Sequence, residues 1–381
     1  MSISLSELLI LGQGSDLASE RGVSCSGELP PASDPHLVER AIAARASLGS
    51  RALILGHHYQ RDEVIQFADI TGDSFKLAQS AAAQSEAEFI FFCGVHFMAE
   101  SADILTSAKQ RVILPDLAAG CSMADMATAN QVEQCWKELE KIGVATKTVP
   151  VTYMNSSAAI KSFTGEHGGT ICTSSNAQKS LEWAFSKAEK VLFLPDQHLG
   201  RNTAVLSLGL SIDDCVLWNP WKPMGGLTED QIKNAKMILW RGHCSVHGRF
   251  NRQTVDEVRS RVPGVQVIVH PECQHEVVLA ADVVGSTEKI IQTVSSSPAG
   301  SKWAIGTELN LVSRLAQNNP DKEVVFLDKT VCYCSTMNRI DLPHLVWAME
   351  SIVAGHIVNE IKVDERVAKY SRLALEQMLA L

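Results

Sequence analysis

The stretch Leu53–Gln60, LILGHHYQ, is an unbroken apolar run that ends in a glycine, two histidines, a tyrosine and an amide. A strand exposed on one face would alternate polar and apolar residues. A short continuous run with polar groups only at its end is instead the pattern of a parallel strand buried on both faces. In open α/β sheets ligands bind at the carboxyl ends of such strands. Two distant segments repeat the design: MILWRGHCSVH (Met237–His247) and VQVIVHPEC (Val265–Cys273). Each runs apolar and then presents His, Cys or an acid.

Between these runs the chain alternates strand and helix patterns. From Pro35 onward a helical stretch, HLVERAIAARASLG, precedes RALIL, and further strands follow at FIFF, RVIL, TVPVTYMN, KVLFLPD, WAIG and EVVFLD. Helical periodicity occupies the gaps. This order predicts parallel sheets flanked by helices, hence an α/β class with three-layer α/β/α organisation. The pattern falls into three comparable blocks, 36–120, 121–239 and 240–330, which read as three similar α/β domains. Residues 1–35, rich in Ser, Gly and Pro, read as an N-terminal extension in loop conformation. Residues 331–381 read as a helical C-terminal segment (LPHLVWAMESIVAGHIVNEI, then VDERVAKYSRLALEQMLAL) that packs on the first domain.

A chain of 381 residues with 45% hydrophobic and 20% charged residues has the make-up of a soluble globular protein with ample core. Its net charge of −9 and lack of a lysine- or arginine-rich block argue against a nucleic-acid partner. No apolar stretch approaches the roughly 20 residues of a membrane span, and the N-terminus has no basic region ahead of an apolar one. The expected location is the cytoplasm, where ten cysteines favour metal or catalytic roles over a disulfide framework.

No pair of cysteines forms a CxxC motif, which leaves zinc ribbons and ferredoxin-like runs without ligands. Cys93 and Cys172 lie in apolar strands, Cys135 within a helix, Cys215 in a loop and Cys25 in the extension; for these a structural or incidental role is expected. Cys121 (AAGCSMAD), Cys244 (RGHCSVH) and one of Cys332 and Cys334 (VCYCSTMN) stand instead at strand ends or loops, one in each block or at its close. Three thiolates converging there could hold three irons of a four-iron cluster and leave the fourth open as a Lewis acid.

Other strand tips carry His57 and Tyr59, Tyr153 and Asn155, and His270 and Glu272, the residue types of proton transfer in enolisation, imine formation and dehydration. Hydroxyl clusters at helix starts, Asp73–Ser74, Thr173–Asn176 and Gly285–Thr287, offer capping groups and free backbone N–H groups to carboxylate or phosphate. Neither GxGxxG nor GxxxxGK[ST] is present, against a nucleotide site of either kind.

Taken together, LGHHYQRDEVIQFADITGDS, FCGVHFMAESADIL, LPDLAAGCSMADM, VTYMNSSAAIK, CTSSNA, FLPDQHLGRN, WRGHCSVH, HPEC, ADVVGST, GTE and CYCSTMNRIDL resemble the quinolinate synthase family, in that family's order, from about residue 40 to residue 350. The resemblance is to the longer subgroup with a CxC segment. It implies three similar domains around a pseudo-threefold axis and a central active site. The implied reaction, of the transferase class, condenses iminoaspartate with dihydroxyacetone phosphate to quinolinate, phosphate and water in NAD biosynthesis. The implied cofactor is one [4Fe-4S] cluster per chain, held by Cys121, Cys244 and Cys334, with Cys332 as the alternative third ligand. The substrate would meet His57, Ser74, Tyr153, Met154, Asn155, Ser174, His270, Pro271, Glu272 and Thr287. His247 would face the same cavity, and Cys273 would lie near it without being a ligand. Tyr59 and His57 are expected to act on the triose, and Glu272 with His270 to move protons during ring closure. L-aspartate oxidase or dehydrogenase would supply the iminoaspartate. An aconitase-like hydro-lyase with the same open iron is the nearest alternative.

Overall fold

The computed structural model describes residues 29–84, 86–330 and 333–381. Cys25 and most of the 1–35 extension lie outside the described residues, as does Cys332. By internal contacts the chain forms two compact units. Among the described residues, the first comprises those up to Thr71 with Leu77–Gly120 and Ser335–Lys362; the second comprises Gly72–Lys76, Cys121–Cys334 and Val363–Leu381.

The first unit is built on a five-stranded sheet. Its strands are β1 (Ala52–His57), β2 (Ile70–Gly72), β3 (Phe89–Cys93), β4 (Arg111–Ile113) and, far along the chain, β14 (Glu360–Ile361), in the order β14-β4-β3-β1-β2. β1 and β3 pair in parallel, Leu55 opposite Phe92, and every residue of both strands is buried. That burial explains the absence of alternation in the sequence. Helix Leu37–Leu48 buries Leu37, Ala41, Ala44 and Leu48, a stripe at helical spacing, and packs on helix Leu342–Val353. Arg40 grips Glu350 with two guanidinium nitrogens at 2.9 and 2.6 Å and reaches Asp34 at 2.7 Å.

The second unit carries two sheets. One has strands β5 (Thr148–Tyr153), β6 (Thr170–Cys172), β7 (Lys190–Leu194), β8 (Cys215–Trp218) and β9 (Met237–Trp240), in the order β6-β5-β7-β9-β8. The other has β10 (Gln266–Val269), β11 (Val283–Val284), β12 (Lys302–Gly306) and β13 (Glu323–Phe326), in the order β11-β10-β12-β13. Every pairing within these two sheets is parallel. Helices run between consecutive strands, as the α/β reading expects: three parallel-dominated sheets with helical layers.

The cores follow from the same pattern. Val132, Cys135, Trp136 and Leu139 of helix Ala129–Lys141 pack on Leu192, Leu194, Ile238 and Trp240 of the sheet beneath. Each large side chain so buried contributes roughly 1.5–3 kcal/mol. Thr128 and Gln131 close a capping box at the start of that helix. Cys93, Cys135 and Cys172 are core residues.

The stretch LPHLVWAMESIVAGHIVNEI, read as helical, is only partly so. The helix ends at Val353, Gly355 adopts a left-handed φ of 84°, and Glu360–Ile361 joins the first sheet as β14, antiparallel to β4. The glycine stops the helix because it takes that conformation without a Cβ clash. The last helix, Glu365–Leu379, packs on helix Ala158–Glu166 of the second unit, where Ser371 Oγ donates to the Ala158 carbonyl at 2.8 Å. Gly165 permits this close approach, since a Cβ there would lie 2.0 Å from the Tyr370 carbonyl oxygen. Gly165→Ala is therefore expected to destabilise the protein by about 1–3 kcal/mol through overpacking. Urea unfolding measures this, and an unchanged midpoint would contradict the close contact.

Candidate active site

The sequence-expected residues of the second unit collect at the carboxyl ends of its strands. Tyr153 is the last residue of β5 and is buried with Met154, whose N–H donates to the Cys172 carbonyl at 2.8 Å. Asn155 follows, half-buried. Ser174 is half-buried in the turn before helix Ala177–Lys187. Ser74 opens helix Ser74–Ala83. The neighbours of these two serines meet, Ser175 Oγ lying 3.4 Å from Asp73 Oδ2. Thr287 is buried in the first turn of helix Thr287–Ser296, next to the capping Ser286. His57 and Tyr59 belong to the first unit, at the tip of β1. His57 is buried, its Nδ1 accepts from the Tyr59 N–H at 3.1 Å, and the two rings meet edge to face at 4.7 Å.

Glu272 is the centre of the second unit's polar groups. His247 Nδ1 lies 2.6 Å and His270 Nδ1 3.2 Å from its Oε2. The two imidazoles stack 4.5 Å apart, and Thr307 Oγ1 lies 3.1 Å from His247 Nε2. All four residues are buried. Burial opposes ionisation of Glu272, yet the His270 and His247 charges and hydrogen bonds outweigh it and hold the carboxyl well below the usual range. Burial in turn pushes the His247 imidazole down. Among the described residues Glu272 Oε1 has no hydrogen-bond partner. A buried, unpaired carboxylate oxygen is costly unless a ligand or water meets it.

Cys121, Cys244 and Cys334 are half-buried and fall in the second unit. Burial pushes the Cys121 thiol up to about 12, helped by the charges of Cys334 and Glu272. Cys244 is raised by burial and by Glu272, Cys121 and Cys334. Thiols that oppose one another's ionisation stay protonated until a cation supplies compensating charge, so the donor set suits a metal centre. Ligand atoms of Cys244, His247 and Glu272 also lie within 4.8 Å of one another.

The loops bearing the cysteines are tied together by residues that the sequence did not single out. Trp240 Nε1 donates to the Met126 carbonyl at 2.7 Å, joining the strand before Cys244 to the segment after Cys121. Asp196 forms a parallel bridge with Gly242, two residues before Cys244. Glu308 accepts from the Cys334 N–H at 3.4 Å while capping helix Leu309–Asn318, and burial raises its carboxyl to about 7. Asp196, Thr307 and Glu308 all follow apolar runs, in KVLFLPD and WAIGTE, so the strand-tip signal that marked His57 and His270 was present for them too.

A family model described as Quinolinate synthetase A protein matches residues 40–380. The chain belongs to this family. It is 67% identical to a protein named quinolinate synthase from Nocardioides sp., over 100% of this chain and 98% of that one. It is 68% identical to the quinolinate synthase of Streptomyces coelicolor (98% and 95% covered) and 55% identical to that of Acidobacterium capsulatum (91% and 93%). No helix among the described residues is long and apolar enough to cross a membrane.

One histidine beside this site gives a pH signature for stability. Burial, then the charges of Arg201 and His243, push His198 down to about 4 from 6.5, and its buried Nδ1 has no partner among the described residues. The native state thus refuses a proton that the unfolded chain accepts between those values. The stability contributed by this group is full above the unfolded pKa and is lost as pH falls towards the folded one. His198→Gln is expected to flatten the decline in unfolding free energy between about pH 7 and about pH 4.5. Denaturant titrations at the two pH values measure it, and parallel declines in variant and parent would refute it.

Proposed function

We propose that this enzyme makes quinolinate from iminoaspartate and dihydroxyacetone phosphate, releasing phosphate and water. The observation that carries the reading is the family match across residues 40–380. The site chemistry supports it, because three thiols that oppose one another's ionisation beside a carboxylate–imidazole pair favour a soft, thiolate-held iron–sulfur group. Cys121, Cys244 and Cys334 would hold a [4Fe-4S] cluster. When bound, it supplies a Lewis-acidic iron for substrate oxygen.

The remaining roles belong to the chain's own groups. Glu272, held by two imidazoles through Oε2 and with Oε1 left for the substrate, is the proton acceptor and donor at the condensing carbon and nitrogen, and His270 shares that traffic. His57 and Tyr59 act on the triose, as acid–base groups for its enolisation and phosphate loss. Tyr153, Met154, Asn155 and Pro271 shape the dicarboxylate pocket. Ser74, Ser174 and Thr287 offer hydroxyls and helix-start N–H groups to carboxylate and phosphate. A chain of net charge −9 needs such local donors to hold an anionic substrate. The enzyme works in the cytoplasm, receiving iminoaspartate from L-aspartate oxidase or dehydrogenase.

The test is an anaerobic assay of quinolinate and phosphate from the two substrates with reconstituted protein. Cys121→Ala should abolish both the visible absorption and product formation. Glu272→Gln should keep the absorption and lose turnover by about 100-fold or more, the scale of a general acid–base group. Turnover within about tenfold of the parent would remove Glu272 from that role.

A further inference from the structure

The carbonyl groups on either side of Glu272 converge on one side chain. Asn202 Nδ2 donates to the Pro271 carbonyl at 2.7 Å and to the Cys273 carbonyl at 2.9 Å. Its Oδ1 lies 2.7 Å from His275 Nδ1, which donates the proton, because an amide oxygen only accepts. Every hydrogen-bonding position of the amide nitrogen is thus spent on the backbone that carries Glu272. Asn202 is 3% exposed, so water does not compete for these bonds.

Asn202 reaches this loop from the other sheet of the unit. It closes helix Gln197–Asn202 after β7, whereas Glu272 follows β10. The helix is pinned at its start: Asp196 Oδ1 accepts from the His198 and Leu199 N–H groups at 2.6 and 2.7 Å, and the Gln197 N–H donates to the Gly242 carbonyl at 3.0 Å. Gly200 lets it lie directly on β7 and β9, since a Cβ there would come 2.7 Å from the Phe193 ring and 2.8 Å from Leu239. Immediately after Asn202 the backbone passes into a π-helical turn, Thr203–Ser207, an irregularity that often accompanies functional sites.

We infer that Asn202 is a positioning residue for Glu272. Its amide fixes the two peptide planes flanking the carboxylate and thereby the direction from which Glu272 meets the substrate. The inference rests on the proton-transfer role proposed for Glu272. Aspartate is the informative replacement: it keeps the shape but sets an oxygen against two carbonyl oxygens. A displacement near 1 Å at a reacting group lowers rates by about 100-fold.

The experiment uses anaerobically reconstituted full-length protein carrying Asn202→Asp or Asn202→Ser. Asn202→Asp is expected to lower kcat for quinolinate formation about 100-fold, with KM for each substrate within about threefold and iron content unchanged. Asn202→Ser, which keeps one donor, should fall in between, and it decides the matter if the aspartate variant does not fold. Added to Glu272→Gln, Asn202→Asp should lower the residual rate by less than about threefold, because the two act through one group. A kcat within about threefold of the parent, full additivity in the double variant, or a loss of kcat matched by lost iron would overturn the inference. Absence of quinolinate formation by the parent protein would instead overturn the reading of the reaction.

Discussion

Parallel strand pairing is the constraint on which the rest of this structure depends. In a parallel sheet all carboxyl ends share an edge, so whatever residues follow the strands are brought side by side. Thr152 pairs with Leu194 and Phe193 with Leu239, which sends Tyr153, Asp196 and Cys244 out of one edge of their sheet. Val269 pairs with Gly306, which does the same for His270 and Thr307 in the next. β7 and β9 are buried along their whole length, so both faces of their sheet lie beneath other layers.

The site so assembled is electrostatically unsettled. Glu272, Asp196 and three thiols crowd a buried region, and each raises the cost of ionising its neighbours. Two imidazoles offset the charge of Glu272 alone. Buried acids of this density are kept where a cation or a proton-transfer reaction makes use of them, since the core would be more stable without them. The supporting bonds are directed at backbone: Trp240 at Met126, Glu308 at Cys334 and Asn202 at the carbonyls beside Glu272. Fixing the backbone leaves the reactive side-chain atoms available.

Much of the architecture was legible because it depends on short-range patterns. Continuous apolar runs marked β1, β3, β7, β9 and β10, and helical stripes marked Leu37–Leu48 and Ala129–Lys141. Legibility failed where a local signal was brief. The two residues of β14 lie inside an apolar, helix-like stretch, and only Gly355 interrupts it. Cys121, Cys244 and Cys334 differ from Cys93, Cys135 and Cys172 in lying outside the apolar strand and helix patterns, and the choice of Cys334 over Cys332 came only from the family resemblance. Asn202 was not distinguishable, because one asparagine ending a short helix looks like any other.

By itself, the sequence determined the α/β class, the order of most strands and helices, and which residues stand at the tips of the apolar strands, all of which follow from patterns within a few residues. Only the tertiary structure decided which tips meet: that His247 and His270 stack beside one carboxylate, that Thr307 touches His247, and that Asn202 reaches across to Pro271 and Cys273. Those contacts join residues tens of positions apart. Their geometry comes from strand order and sheet packing, which no local pattern of side chains encodes.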